Sequence, residues 1–238
     1  MILGEDNQKM SKSRGNVMNP DEMVDRYGAD SVRLYEMFMG PLEMTKPWSI
    51  QGVEGVHRFL ARVWRLFVAQ DDKPQPTLLN RVPFPQELKR LHQAVKKVTE
   101  DLEAVRLNTA ISALMIFVNE TMKDQDHSRE ALEKFILLLA PFAPHLAEEL
   151  WQRFGHSKTL AEEPWPAYDP ACLEEDEVEM AVLVGGKVRA KMTVSNALEE
   201  SEVRRLALDD PRVTAWLGGK KVKHVIVVPG RIVNIVVE

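Results

Sequence analysis

The sequence predicts a mainly α protein: a helical bundle followed by a small α+β domain of β-β-α-β-β order. Two observations carry this. Between residues 49 and 155, apolar residues recur at helical spacing in successive segments separated by short polar or proline-bearing links. Beyond residue 177 the texture changes to Val-rich runs paired about Gly185-Gly186 and again about Pro229-Gly230, the pattern of two hairpins. The expected division is 1–48 for an amino-terminal loop with connector helices, 49–165 for the bundle and 166–238 for the α+β domain.

Taken in order, residues 1 to 8 offer only Ile2 and Leu3 as strand-like positions, too few to build a sheet. Lys9-Met10-Ser11-Lys12-Ser13-Arg14-Gly15-Asn16 then gathers three cations, two hydroxyls, a glycine and an amide. Lysine brings a mobile charge, arginine a forked donor, serine a hydroxyl, and Gly15 a backbone free to take positive φ, so the run suits a polyanionic phosphate. A solvated basic loop is the plainer reading of such a cluster. Asn19-Pro20-Asp21-Glu22 has the form of a helix start, with Asn19 as cap, and that helix should stop at Gly28. A second begins at Asp30 and ends at Gly40-Pro41. From Ser49, a plausible cap, to Ala69 the residues Ile50, Val53, Val56, Phe59, Leu60, Val63, Trp64 and Phe67 form one apolar stripe, while Arg58, Arg62 and Arg65 line another face, either solvated or set against RNA phosphate. Further helices are expected over Gln86–Leu107, Asn108–Met122, from a Ser128 cap to Pro141, and over Pro144–Phe154 before Gly155. Glu174-Glu175-Asp176-Glu177 marks an exposed acidic junction. In the α+β domain, strands over Val178–Val184 and Val188–Val194 precede a helix started by Asn196 with Glu199, a short turn about Val213–Leu217, and strands over Val222–Val228 and Ile232–Val237.

The chain of 238 residues has 31 Lys and Arg against 36 Asp and Glu, a net charge of −5, so global attraction does not mark a nucleic-acid binder and any RNA contact must come from local patches. One such patch is legible. Between Lys187 and Arg231 stand ten basic residues (Lys187, Arg189, Lys191, Arg204, Arg205, Arg212, Lys220, Lys221, Lys223, Arg231) and five acidic ones (Glu199, Glu200, Glu202, Asp209, Asp210). The single cysteine, Cys172, excludes an internal disulfide and a Cys-based zinc site and fits a reducing, cytoplasmic setting. No apolar run reaches membrane-spanning length, so no membrane partner is expected. The six histidines show no ligand spacing and none is assigned to a metal. Trp64, Trp151 and Trp216 read as core or interface residues before base-stacking platforms.

Lys9-Met10-Ser11-Lys12-Ser13 is the signature loop of class I aminoacyl-tRNA synthetases, and the likeness extends in collinear order over the whole chain. Lys9 to Val17, Tyr27-Gly28-Ala29-Asp30-Ser31-Val32-Arg33, Trp48 with Gly52-Val53-Glu54-Gly55, Pro141 to Trp151, and Val227-Val228-Pro229-Gly230-Arg231-Ile232-Val233-Asn234 resemble the carboxy-terminal portion of bacterial leucyl-tRNA synthetases. The Pro-Phe-Ala-Pro-His stretch is shared with valyl and isoleucyl relatives, whereas the Val-Pro-Gly hairpin points to the leucyl family. The resemblance implies that Lys12 contacts the phosphates of ATP, bound as its Mg2+ complex, with Lys9 and Ser11 shaping the loop and Lys9 and Lys12 acting in catalysis. It implies an anticodon-binding-type bundle that holds the body of tRNA(Leu), and a final domain that meets the tRNA corner. Expected RNA contacts are Lys187, Arg189, Lys191, Lys220, Lys221, Arg58 and Arg62. In that family the nucleotide-binding fold, the leucine pocket and the editing insertion lie upstream of this loop, so the chain reads as the carboxy-terminal part of leucine–tRNA ligase: a truncated frame, an excised piece or the smaller subunit of a split enzyme with a separate catalytic chain. The alternative is a non-catalytic tRNA-binding module acting in trans.

Overall fold

The computed structural model describes residues 2–41, 43–173, 177–195 and 198–238. The acidic run 174–176 and the Asn196 helix start lie outside them. Two compact units divide between Leu173 and Glu174.

In the first unit, strand β1 (Ile2–Leu3) pairs in parallel with β2 (Lys46–Pro47). Residues 1 to 8 thus do form a strand, but one only two residues long. Helix α1 (Pro20–Tyr27) starts where Asn19 accepts a hydrogen bond from the Asp21 N–H, and ends at Gly28. Glu22 reaches the Asn19 amide rather than a backbone N–H, so the capping box is replaced by a side-chain pair. Helix α2 (Ala29–Phe38) follows directly. Helix α3 (Ile50–Phe67) is capped by Ser49, whose hydroxyl accepts from the Gly52 N–H. Gly52 lies so close to Tyr35 that an added Cβ would sit 2.4 Å from its ring, and only glycine permits this approach.

The bundle continues through a two-residue strand β3 (Leu78–Leu79), α4 (Pro85–Glu103), α5 (Leu107–Thr121), strand β4 (His127–Ser128), α6 (Arg129–Leu139) and α7 (Pro144–Arg153), with β3 parallel to β4. Its core is continuous with that of α1 to α3 and includes the fully buried Leu34, Phe59, Leu91, Ile111, Leu114, Leu132, Phe135, Phe142 and Leu150. Each such side chain contributes about 1.5–3 kcal/mol by burial. Residues 166 to 173 stay with this unit: the Asp169 N–H bonds His92 Nδ1, just after the Trp165 indole reaches Thr99.

Two elements differ from the sequence expectation. Helix α4 ends at Glu103, short of Leu107, because the Arg106 N–H returns to the Asp101 carbonyl and Val105 takes a φ of 55°. Ser128 precedes α6 but does not cap it with its side chain. Its hydroxyl donates to the Arg81 carbonyl and its N–H to Glu87.

Glu87 is the centre of a buried polar cluster. Its carboxylate accepts from Arg81 at 2.6 and 3.2 Å, from the Phe84 N–H at 2.7 Å and from the Ser128 N–H at 3.0 Å, and Arg81 also binds Asp126. Burial pushes the Glu87 carboxyl up, and Arg81 with the two backbone donors outweighs it, leaving it below its ordinary value.

The second unit is a sheet of order β6-β5-β8-β7, built from β5 (Glu177–Val184), β6 (Lys187–Ser195), β7 (Val222–Val228) and β8 (Ile232–Val237). The hairpin pairs are antiparallel and β5 lies parallel to β8. The helical element between the hairpins is double: α8 (Glu200–Asp209) and α9 (Pro211–Leu217), separated at Asp210, which caps α9 ahead of Pro211. Val203, Ala207 and Val213 from these helices pack on Met180, Val182, Ala190, Val194, Val233 and Ile235 of the sheet.

Glu87→Ala strands the Phe84 and Ser128 N–H groups in a largely buried site and leaves Arg81 with Asp126 alone of its two carboxylates, and breaking such a pair costs about 3 kcal/mol. Urea denaturation should show that loss, and a change below about 1 kcal/mol would remove the cluster from the fold's essential contacts.

Candidate functional site

The loop from Lys9 to Asn16 is closed by a small polar knot. Asn16 accepts the Ser11 N–H at 2.9 Å through Oδ1 and donates through Nδ2 to both Asp6 oxygens at 3.1 Å. The Gln8 N–H first, and the Asn16 amide next, hold the Asp6 carboxyl below its ordinary value. Between these anchors Lys12–Arg14 form a single 3-10 turn, closed by Gly15 in the left-handed conformation at φ 68° and ψ 17°. Met10 and Met18 pack on the helical core at either side.

Held in this way, Lys9, Lys12, Ser13 and Arg14 are exposed. Among the described residues Lys9 and Lys12 have no ion-pair partner, Arg14 bonds only Gln8, and the Ser11 and Ser13 hydroxyls stand 3.3 Å apart. Two uncommitted ammonium groups beside two hydroxyls and one lightly held guanidinium form a donor set that fits the oxygens of a triphosphate.

The expected RNA contacts are placed less uniformly. Arg58 is exposed on α3, but Arg62 is half-buried against Phe59 with its Nε buried and without a hydrogen-bond partner. In the second unit, among the described residues, four of the ten basic residues are ion-paired: Lys191 with Glu179, Arg204 with Glu200, Arg205 with Glu202 and Arg212 with Asp210. Arg189 is the extra residue of a β-bulge, since Val182 faces Ala190 and Leu183 faces Val188. Its guanidinium lies over the Trp216 ring, 3.5 Å from the centroid. Lys187, Lys220 and Lys221 are exposed and have no ion-pair partner among the described residues.

Two stretches of the chain match known protein families. The family model "tRNA synthetases class I (I, L, M and V)" matches residues 1–44, and "Anticodon-binding domain of tRNA ligase" matches residues 87–204. Both matches are to tRNA synthetases, the first to those of class I. Among solved structures, it is similar over 100% of its length to the leucyl-tRNA synthetase of Agrobacterium radiobacter K84 (agnB2), solved as a ternary complex with tRNA and LeuAMS, at 30% identity and a TM-score of 0.79. The chain spans 33% of that protein's length. Lys9, Ser11 and Lys12 fall within the first match, and Lys187, Arg189 and Lys191 within the second.

Sequence reasoning missed two features. Asn16 was legible only as one amide in a polar run, because its partner Asp6 lies ten residues back. Trp216, read as core or interface, is 53% exposed. A tryptophan on a short helix, four residues before a Lys-Lys pair, was the available signal.

Asp210 fixes the edge of this surface, because Arg212 bonds both its carboxylate and the Lys191 carbonyl. The Arg212 guanidinium first, and then the Arg212 N–H, hold the Asp210 carboxyl down from 3.8 to about 2. A depressed carboxyl stabilises the fold above its unfolded pKa and ceases to do so as pH falls through the folded one. Asp210→Asn should therefore melt earlier than wild type above about pH 4, with the gap closing toward pH 2 in circular-dichroism melts. A gap independent of pH would contradict the pairing.

Proposed function

We propose that this chain supplies the ATP-contacting loop and the tRNA-holding domains of leucine–tRNA ligase. The observation that carries the reading is the pair of exposed lysines, Lys9 and Lys12, without an ion-pair partner among the described residues, on a knot-closed loop inside the class I match. Lys12 is the residue assigned to the ATP phosphates, with Lys9 and Ser11 beside it. Magnesium enters as part of the nucleotide complex and needs no protein ligand in this chain. In the reaction the leucine carboxylate displaces pyrophosphate at the α-phosphate, and Lys12 favours the charge that gathers on the leaving group over the ground state. A fixed donor of this kind is worth about 2.7–4 kcal/mol of barrier. No proton transfer by this chain is required.

The helical unit, with Arg58 on α3, holds the body of tRNA(Leu), and the second unit meets it through Lys187, Lys220 and Lys221, with Arg189 beside them. Lys191, paired with Glu179, supports the surface of the second unit, and Arg62 stays packed on Phe59 within the helical unit. The resemblance to a leucyl-tRNA synthetase complexed with tRNA supports this assignment. Leucine activation then takes place only together with a nucleotide-binding fold, on the same polypeptide or a partner chain. Purified chain of 238 residues should give no leucine-dependent pyrophosphate exchange above background, and robust exchange would overturn this division of labour.

A further inference from the structure

We infer that Trp216, backed by Arg189, is a stacking platform for an unpaired or terminal nucleobase of the bound RNA; the inference rests on the tRNA-binding reading above and assigns it a contact of a different chemical kind. An indole 53% exposed on a seven-residue helix is out of place as a core residue, and the same helix buries Val213 completely. The Arg189 guanidinium lies 3.5 Å from the indole centroid, with its Nε buried and without a hydrogen-bond partner. Placing that atom there carries a desolvation cost that the ring contact helps to offset. The bulge in β6 is what releases Arg189 from a paired position in the ladder and brings it to Trp216.

Topology concentrates charge at the same place. Because β5 and β8 run parallel and each pairs antiparallel with an outer strand, the starts of β6 and β7 lie at one end of the sheet. Lys187 opens β6, while Lys220 and Lys221 lead into β7 directly after α9 and Trp216. The two outer strands are three strand spacings apart, about 14 Å. The engaged cations Lys191, Arg204, Arg205 and Arg212 carry their own carboxylates, so among the described residues the cations at this end without an ion-pair partner are Lys187, Arg189, Lys220, Lys221 and Lys223, with Glu238 the one acidic residue beside Lys221. A flat aromatic with cations at its margin matches a nucleotide: the base extends the Arg-Trp stack, and its phosphates face the lysines.

The test is equilibrium binding of the whole chain to a tRNA(Leu) transcript across a salt series, for wild type, Trp216→Ala, Trp216→Phe and the double variant Lys220→Glu/Lys221→Glu. Trp216→Ala should bind roughly tenfold more weakly at every salt concentration, with the slope of log K against log salt unchanged. Trp216→Phe should retain most of the affinity, and the lysine double variant should flatten the slope. Tryptophan fluorescence supplies a second readout that does not depend on the alanine variant folding: RNA should quench wild type more than Trp216→Phe. Wild-type affinity in Trp216→Ala, or equal quenching in wild type and Trp216→Phe, overturns the platform and leaves the tRNA reading standing. Failure of wild type itself to bind overturns both.

Discussion

Helix α3 is the constraint on which the first unit depends, because it is packed on its apolar side and held at its amino end by different parts of the chain. Val53, Val56, Phe59 and Val63 are buried in the core shared with α1, α2, α5 and α7. The first N–H groups of the helix have no partner within it, and they are satisfied from outside. Ser49 serves Gly52, Glu5 accepts the Ile50 N–H at 2.9 Å, and the Tyr35 hydroxyl accepts the Ser49 N–H at 2.8 Å. The Trp48 N–H donates to the Leu3 carbonyl. One helix start therefore gathers the amino-terminal segment, and with it the root of the loop that presents Lys9 and Lys12. Each bond contributes on the order of 1 kcal/mol, and together they give a short polar segment a fixed place on an apolar body.

A second long-range cap explains why two of the family-like stretches occur together. Helix α7 begins at Pro144 after Ala143, which has no side chain able to cap it. Asp30 takes that role from a distance of more than a hundred residues, accepting the Leu146 N–H at 2.7 Å and bonding His145 Nδ1 at 2.9 Å. Arg33 adds bonds to the Pro141 carbonyl. The Gly-Ala-Asp-Ser and Pro-Phe-Ala-Pro-His segments are thus the two halves of one docking contact between connector and bundle, a structural role that does not require either to touch a ligand.

Much of this was legible from local pattern. The stripe on α3, the Asn19-Pro20 start of α1, the Gly185-Gly186 hairpin and the basic surplus after Lys187 are all written in neighbouring residues. What escaped depends on partners far away in sequence. The turn between α4 and α5 contains neither glycine nor proline, so nothing local announces that Asp101 and Val105 will end the helix early. Ser128 looks like a cap until Arg81, forty-seven residues back, takes its hydroxyl. The cations of the second unit could be counted but not sorted, because pairing and the bulge at Arg189 decide which of them face solvent.

The proposed role as the tRNA-holding part of a leucine-specific synthetase requires a local basic surface to override an acidic overall charge. Competition binding at fixed moderate salt, with tRNA(Leu) against a tRNA of another specificity and against a DNA duplex of equal charge, tests it most directly. The account predicts that tRNA(Leu) displaces both competitors at a fraction of their concentration. Equal displacement by all three would reduce the chain to a nonspecific polyanion binder and contradict it.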